Sequence, residues 1–277
     1  MSPFATISAQ KLWRRIGRPD APVLVDVRSD EDFAADPDLV PGAHRRDASS
    51  VADWAGGFAG ASVVAICRRG HKLSHGAAAW LRQAGAAAEV LDGGVEAWAA
   101  AGLPRVPAAR VPARAADGRT LWVTRARPKV DRIACPWLIR RFVDPRAVFL
   151  FVPPGEVLEV GRRFGAAPFD VDDPEVFWTH RGDLCTFDVM VEELGLAGVA
   201  PLAHLARIVR GADTARPDLA PEAAGLLAVS LGLSRMHADD LAQLEAGMGL
   251  YDALWRWCRD ATDETHNWPA AQPAAAL

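Results

Sequence analysis

Short apolar runs alternate with amphipathic stretches through the N-terminal part of the chain. Several runs have the length and the apolar content of buried strands. They lie at residues 23–27, 62–66 and 88–91. Helices are predicted between and around them, at residues 9–16, 31–35, 73–84 and 95–100. Because strands and helices alternate, the pattern predicts an α/β domain with a parallel sheet and helices on both of its faces.

The second half of the chain has fewer strand-like runs and more helical periodicity. Strands are predicted at residues 121–124 and 148–152. Helices are predicted at residues 132–142, 157–164, 187–194, 202–210, 221–231 and 238–258. In the last of these, the apolar residues recur at a spacing that places them on one helical face. We therefore expect a C-terminal domain that is mostly helical, of the α+β class.

These patterns divide the chain into two domains. The first covers residues 1–104 and the second covers residues 120–262. Residues 105–119 are rich in proline, arginine and alanine and lack apolar periodicity, so we expect an extended linker. Residues 263–277, which are rich in alanine and proline, are expected to form a disordered tail.

Composition narrows the classes of function. The 277 residues carry a net charge of −4, and neither half has the basic excess of a nucleic-acid-binding protein. The four cysteines are far apart, which argues against a disulfide framework and a zinc ribbon. The longest apolar run, residues 223–229, is too short to cross a membrane, and the N-terminus has no apolar core of signal-peptide type. We therefore expect a cytoplasmic protein without a membrane or nucleic-acid partner.

The most distinctive local sequence is a basic loop that follows the predicted strand 62–66. It reads Cys67-Arg68-Arg69-Gly70-His71-Lys72 and leads into the helix 73–84. Backbone N–H groups and a helix N-terminus favour negative charge at such a point. Together with the basic side chains they are expected to lower the pKa of Cys67 and give a reactive thiolate. The alternative is a structural cysteine at the end of a strand.

Separated motifs of the first half occur in an order typical of one family. These are Asp26-Val27-Arg28 after an apolar strand, the turn Pro41-Gly42-Ala43-His44, the Cys67 loop, and Asp92-Gly93-Gly94-Val95-Glu96-Ala97-Trp98. Residues 6–104 thus resemble the single-domain rhodanese family of sulfurtransferases. The resemblance implies that Cys67 accepts sulfane sulfur as a persulfide and passes it to an acceptor. It also implies that Asp26 and Arg28 are scaffold residues that tie the sheet to neighbouring loops.

The loop following Cys67 is the expected substrate-binding site. A dianion such as thiosulfate needs positive charge, which Arg68, Arg69, Lys72 and inward N–H groups are expected to supply, while Gly70 lets the backbone curl around the sulfur. His71 is a further candidate contact or proton donor. The expected partners are a small anionic sulfur donor and a thiol or cyanide-like acceptor, and no cofactor is required.

The length and composition of the loop refine this expectation. Its last basic residue, Lys72, lies at the fifth position after the cysteine, which is the sulfurtransferase length; related thiol phosphatases have one more residue. The family commonly has arginine and then serine or threonine where this chain has Lys72 and Leu73. Lysine lacks the bidentate fork of arginine, so the preference for one anion over another is expected to differ.

Sequence blocks of the second half resemble the C-terminal domain of the chromate-resistance protein family. They lie at residues 127–142, 180–188, 208–214 and 243–252, and the resemblance covers residues 121–259. It implies a setting in chromate resistance rather than a reaction. Besides a sulfurtransferase, it suggests a chromate- or metal-responsive sensor or regulator, or a thiol that reduces chromate. Chromate is accordingly a candidate ligand.

A divalent metal, zinc or iron, is the candidate cofactor of the second domain. His180, Cys185 and Asp188 offer nitrogen, sulfur and oxygen donors within nine residues, and Asp131, a predicted helix N-cap, is expected to join them. Structural roles are the alternative: Cys185 in the core and His180 bonded to the backbone.

Other charged residues of the second domain have two interpretations. Glu245 and Asp252 are candidate ligands or partners of arginines. A basic cluster is a candidate chromate contact or a solvated helix face. It consists of Arg125, Arg127, Lys129, Arg132, Arg140 and Arg141.

Overall fold

A computed structural model describes residues 5–265 of the chain. The strands of the N-terminal part are β1 (Thr6–Ile7), β2 (Val23–Asp26), β3 (Asp38–Leu39), β4 (Ala43–Arg45), β5 (Ser62–Ile66), β6 (Ala87–Leu91) and β7 (Val106–Pro107). The helices there are α1 (Ala9–Trp13), α2 (Asp30–Ala35), α3 (Val51–Trp54), α4 (Lys72–Gln83) and α5 (Gly94–Ala100). They form an α/β domain.

A parallel sheet organises this domain, as the alternating pattern predicts. Its strand order is β1-β6-β5-β2-β4, and every pairing in it is parallel. Side chains of β5 alternate between two cores: Val63 and Ala65 pack with Leu81 of α4, whereas Val64 and Ile66 belong to the cluster that holds α1 and α5. Helices therefore cover both faces, and both faces of the central strand are apolar for that reason.

The second domain places helices around a small parallel sheet. Its strands are β8 (Leu121–Arg125), β9 (Val148–Val152) and β10 (Ala167–Pro168), in the order β10-β8-β9. Its helices are α6 (Asp131–Phe142), α7 (Val157–Phe164), α8 (Thr186–Glu193), α9 (Ala200–Asp213), α10 (Ala223–Met236) and α11 (Asp240–Asp260). Helix α6 lies at the centre, and its fully buried Trp137 contacts aromatic rings of α8 and α11.

The predicted helices and strands are present, with ends displaced by up to five residues. The short strands β1, β3, β4, β7 and β10 and the short helix α3 were not predicted, because each is too brief for a periodic signal. One capping prediction is wrong. Val130, with φ of 29°, occupies the N-cap of α6, and Asp131 is the first helical residue. Asp131 instead accepts the main-chain N–H of Phe187, in the first turn of α8.

The two domains share one apolar core. Leu12, Ile16 and Trp98 of the first domain belong to the same buried cluster as Phe142 and Trp255 of the second. A Cβ atom at Gly17 would lie 2.6 Å from the Phe142 ring, which shows how closely the backbone approaches it. The main-chain N–H of Gly42 also donates to the carbonyl of Phe142, at 2.6 Å.

The segment 105–119, predicted as a linker, packs along this junction. It contributes β7, which pairs antiparallel with β3, and Val106 is buried in the shared core. Arg114 forms an ion pair of 3.0 Å with Asp144. The predicted tail 263–277 lies outside the described residues except for its first three. Within residues 5–265, no helix is both long enough and apolar enough to span a membrane.

Candidate functional site

Cys67 follows the last residue of β5, at the carboxyl edge of the sheet where ligands of parallel α/β folds bind. Its side chain is 5% exposed. The main-chain N–H of His71 points at the sulfur, with nitrogen and Sγ 3.3 Å apart. The Oγ atom of Ser74, in the first turn of α4, lies 3.1 Å from Sγ. The sulfur is thus held by polar groups of the loop and of a helix N-terminus.

Two glycines let α5 pack against this loop. Gly94 and Gly70 have φ of +60° and +69°, and a Cβ at Gly94 would lie 2.2 Å from the carbonyl oxygen of Cys67. The first N–H groups of α5 donate to loop carbonyls. Val95 bonds the carbonyl of Cys67, and Glu96 bonds the carbonyl of Arg68, each at 3.1 Å. The loop carbonyls are therefore turned away from the sulfur.

The two loop arginines are engaged by carboxylates. Arg68 Nε lies 2.7 Å from Glu96 and its Nη1 lies 3.2 Å from Asp32, while Arg69 Nε lies 3.1 Å from Glu96. The hydrogen bonds that Arg68 donates to Glu96 and Asp32 raise the pKa of Arg68, and the bonds that Glu96 accepts from Arg68 and Arg69 lower the pKa of Glu96. Glu96 thus offsets part of the positive charge that the sequence analysis expected to bind an anionic donor. The sequence shows that Glu96 follows Gly93-Gly94, but it does not show that Glu96 pairs with Arg68 and Arg69.

A cleft of about 580 Å³ opens beside the loop. It is lined by Val27, Arg28, Ser29, Asp30, Arg45, Arg46, Asp47, Ala48, Ser49 and Leu73. Arg28 is buried and pairs with Asp26 at 2.6 Å while it donates to the carbonyls of Asp36 and Asp38, which confirms the scaffold role. Arg45 pairs with Asp30. Arg46 also lines the cleft, and among residues 5–265 it has no carboxylate within 4.0 Å; its guanidinium lies against Gly118, with Nη2 3.3 Å from the Cβ position there.

A second polar cluster surrounds His180. Its Nε2 atom lies 3.3 Å from Asp170, 3.4 Å from Asp213 and 3.7 Å from Asp131. Asp170 follows β10, and Asp213 is the last residue of α9. Sequence reasoning selected Asp131 and His180 but missed Asp170 and Asp213. The available signal was the place of Asp170 just beyond a strand of a parallel sheet.

The electrostatics of this cluster follow from burial and proximity. Burial, together with the nearby carboxylates Asp213 and Asp170, raises the pKa of Asp131. Burial likewise raises the pKa of Asp213, with Asp170 adding to the effect. Asp170 raises the pKa of His180. The pKa of Asp170 itself is lowered, because His180, Arg132 and Arg125 stabilise its charged form. Three carboxylates and three basic side chains thus meet in this cluster.

Cys185 and Asp188, the other two predicted ligands, lie next to the cluster at the start of α8. Cys185 occupies the N-cap, and the two residues form a reciprocal capping box, with the N–H of Cys185 donating to Asp188 at 3.1 Å. Cys185 is fully buried, and burial raises the pKa of its thiol, which also contacts Asp131. Both side chains thus have structural partners in α8.

The remaining charged candidates are paired. Glu245 bonds Arg140 at 2.6 Å and Asp252 bonds Arg141 at 2.8 Å, as the arginine-partner interpretation predicts, although Glu245 is largely exposed. Arg125 and Arg132 both contact Asp170, and Arg127 donates to the carbonyl of Ser234. Contact of these arginines with chromate stays a prediction.

Comparison with known proteins divides the chain in the same way. Residues 8–101 match the family model of the rhodanese-like domain, and residues 122–258 match that of the ChrB C-terminal domain. Protein ChrB of Cupriavidus metallidurans is 35% identical over 134 residues, which are 48% of this chain and 39% of that protein. The chain therefore spans well under half the length of this curated relative.

Solved structures also resemble the first domain. A rhodanese-related protein of Thermoplasma volcanium has 22% identity and a TM-score of 0.33, covering 37% of this chain and 98% of its own. A probable thiosulfate sulfurtransferase has 25% identity and a TM-score of 0.28, covering 36% of this chain and 46% of its own.

Proposed function

We propose that this chain, which joins a rhodanese-like domain to a ChrB C-terminal domain, is a sulfurtransferase that carries sulfane sulfur on Cys67. In the first step the Cys67 thiolate attacks the outer sulfur of a donor such as thiosulfate, the S–S bond of the donor breaks, and sulfite leaves with the electron pair. In the second step a thiolate or cyanide acceptor attacks the outer sulfur of the persulfide and regenerates the Cys67 thiolate.

The polar cradle around the sulfur is the observation that carries this proposal. An N–H group at 3.3 Å stabilises a sulfur anion better than an apolar wall does. The Ser74 hydroxyl, which also reaches the carbonyl of His71 at 3.1 Å, adds to this stabilisation when it donates to the sulfur instead, at 3.1 Å. The family commonly has serine or threonine one residue earlier than Ser74, at the position of Leu73. Ser74 is fully buried and therefore kept in place.

The cleft beside the loop is the proposed donor site. Thiosulfate is a dianion, and Arg46 is free of carboxylate partners there among the residues described. The N-terminus of α4 adds partial positive charge where the leaving sulfite develops. Arg68 and Arg69 contribute less than their charge suggests, because Glu96 holds both of them.

Chromate resistance is the proposed biological setting, carried by the ChrB C-terminal domain. Chromate is an oxidant, and cysteine thiols are among the side chains that oxidants modify most readily. This link depends on the family of the second domain, whereas the sulfur-transfer step depends on Cys67.

Mass spectrometry of the intact chain after incubation with thiosulfate tests the sulfur-transfer step. We expect the wild type to gain the mass of one sulfur atom and to release sulfite in the presence of a thiol or cyanide. Cys67→Ser should do neither, whereas Cys258→Ser, which alters a buried cysteine of α11, should behave as wild type. Absence of an adduct from thiosulfate and from a polysulfide donor would refute the proposal.

Release of the loop arginines tests the role assigned to Glu96. Glu96→Gln removes the carboxylate that engages Arg68 and Arg69, and both side chains are partly exposed, so the fold should persist. We expect the KM for thiosulfate to fall about two- to fivefold at low salt, and the gain to shrink at high salt, because exposed charges are screened. An unchanged KM at low salt would show that the arginines do not act on the donor.

A further inference from the structure

We propose that the second domain binds one divalent transition-metal ion, with zinc as the preferred ion, through Asp131, Asp170 and His180, and with Asp213 as the fourth side chain. One donor atom from each of the first three residues lies within 4.8 Å of the others. Asp213 Oδ2 lies 3.4 Å from the same imidazole nitrogen. This site is independent of the proposed sulfur transfer at Cys67.

The distances fit a metal shell better than a hydrogen-bonded imidazolium. Nε2 lies 3.3, 3.4 and 3.7 Å from three carboxylate oxygens. An N–H···O hydrogen bond spans about 2.7–3.2 Å, and a single N–H cannot serve three acceptors. In a tetrahedral zinc site with bonds of about 2.0–2.1 Å, neighbouring ligand atoms lie about 3.3–3.4 Å apart. The oxygens of Asp170 and Asp213 are thus placed as co-ligands of Nε2, and Oδ2 of Asp131, at 3.7 Å, lies slightly farther out.

Asp131 has one oxygen without a hydrogen-bond partner. Asp131 is fully buried, and its Oδ2, the oxygen nearer His180, accepts the N–H of Phe187 at 3.2 Å. Its other oxygen, Oδ1, is buried without a hydrogen-bond partner. A buried carboxylate oxygen without a partner is costly. A metal ion held by both oxygens of Asp131 would give Oδ1 a partner.

Outer contacts hold the ligands in place, as metal sites require. Arg125 and Arg132 contact Oδ2 of Asp170, at 3.1 and 3.2 Å, and Thr186 donates to its Oδ1 at 3.0 Å. Oδ1 is therefore turned toward His180. The two guanidiniums also more than offset the single negative charge that three carboxylates leave after a divalent ion and a neutral imidazole are counted.

Helix α11 fixes the loop that carries Asp131. Tyr251 donates to the carbonyl of Val130 at 3.1 Å, and Gln243 donates to the carbonyl of Pro128. These contacts hold Val130 at its positive φ and so aim the first residue of α6 at His180. Because α11 positions Asp131 from far along the chain, the ligand geometry forms only when the domain is folded.

The donor atoms indicate which ion binds, and the exposure of His180 indicates how the site is reached. One imidazole with carboxylates suits zinc, iron(II) or manganese(II), and the absence of a thiolate among the three ligands disfavours softer ions. The His180 side chain is 43% exposed, whereas Asp131 is buried. The site is therefore closed on one side and open to solvent on the other, as sites that exchange a ligand or the ion itself are.

Titration of the tag-free full chain in a Cys67→Ser background tests the proposal. This background removes the loop thiol as a rival zinc ligand. After removal of metal with a chelator, we expect native mass spectrometry and calorimetry to report one zinc or manganese ion per chain, with zinc bound more tightly. Zinc should also raise the Tm of the chain.

Variants locate the ion. His180→Gln changes a partly exposed side chain and Asp170→Asn removes a ligand charge, and each should weaken zinc binding about tenfold or more and abolish the Tm shift. Asp188→Asn is the matched control, because it alters a buried carboxylate of the same domain outside the set; it should bind zinc as the parent does. No binding by the parent, or equal binding by a folded His180→Gln variant, would overturn the proposal.

Discussion

The chemistry of individual charged residues in this protein depends on whether a neighbour of opposite charge pairs with them. Arg68 and Arg69 follow the proposed nucleophile but are held by Glu96, so that the main-chain N–H of His71 and the hydroxyl of Ser74 are the groups next to the sulfur. At His44, by contrast, the neighbouring charges are mostly of the same sign as a protonated imidazole. It is buried beside Arg114, Arg46 and Arg146, with Asp144 as the nearby carboxylate.

His44 makes stability depend on pH. Burial and the three arginines lower its pKa from 6.5 to about 4. The folded chain therefore binds fewer protons than the unfolded chain between these values, and the contribution of His44 is complete above pH 6.5 and lost as pH falls toward 4. The loss amounts to about 3 kcal/mol. We expect His44→Gln to flatten the fall in the free energy of unfolding by about this amount, as measured by denaturant titration from pH 7 to pH 4.5.

The imidazole of His44 stacks on Phe58, so the variant will also lose some packing at every pH. That loss shifts the whole curve without changing its slope. Parallel curves for the two proteins in the acid range would therefore contradict the titration of His44.

Elements of the first domain are joined at their ends, and the Cys67 loop depends on one such junction. The first turn of α5 donates to carbonyls of the loop, and the fit requires a residue without a side chain at Gly94. The same logic holds in the second domain, where Asp131 of α6 bonds the first turn of α8. The first turn of α5 is thus satisfied by another element, whereas in α8 Asp131 adds to the helix's own capping box.

Gly94→Ala should separate the loop from α5. A Cβ there meets the Cys67 carbonyl oxygen at 2.2 Å in addition to the unfavourable φ of +60°. Gly102→Ala is the matched control, since Gly102 has φ of +64° but no atom within 4 Å of its Cβ position. We expect the control to cost about 1–2 kcal/mol and leave persulfide formation intact, and Gly94→Ala to cost more and to slow it at least about tenfold. Persulfide formation is measured in folded protein by mass spectrometry; equal rates would refute the role of this junction.

The whole molecule behaves as one packed body in its core. Aromatic residues of α6 and α11 lie in a single cluster with residues of α1 and α5, and the segment 105–119 runs along the boundary instead of spanning a gap. Such continuity couples the stability of the two domains, because removing a shared side chain exposes both.

Phe142→Ala tests this coupling. Phe142 is fully buried, contacts Trp137 and Trp255, and lies against Gly17 of the first domain. We expect a loss of about 3–5 kcal/mol of stability. Hydrogen exchange should speed up in α1 as well as in α6, and calorimetry should give one unfolding transition. Val157→Ala, in a separate apolar cluster of the second domain, is the control and should not accelerate exchange in α1 selectively. Exchange confined to the second domain would contradict a shared core.

Local patterns were sufficient for much of this picture. The helices, the longer strands and the parallel first sheet were predictable, because periodicity and apolar runs reflect burial on each face. The place of Cys67 after a central strand followed from the same reasoning, and Asp131 and His180 were chosen correctly as neighbours in space.

Contacts between residues far apart in the chain were decided only by the tertiary structure. Glu96 holds Arg68 and Arg69, Asp170 and Asp213 join His180, and Cys185 and Asp188 cap α8. Sequence patterns record which face of an element is buried, but not which side chains of different elements share a site. The amino-acid sequence alone therefore determined the longer elements and the position of Cys67 after a strand. Packing decided the charge around Cys67 and the composition of the second cluster, because electrostatic energies depend on distances that only the folded chain sets.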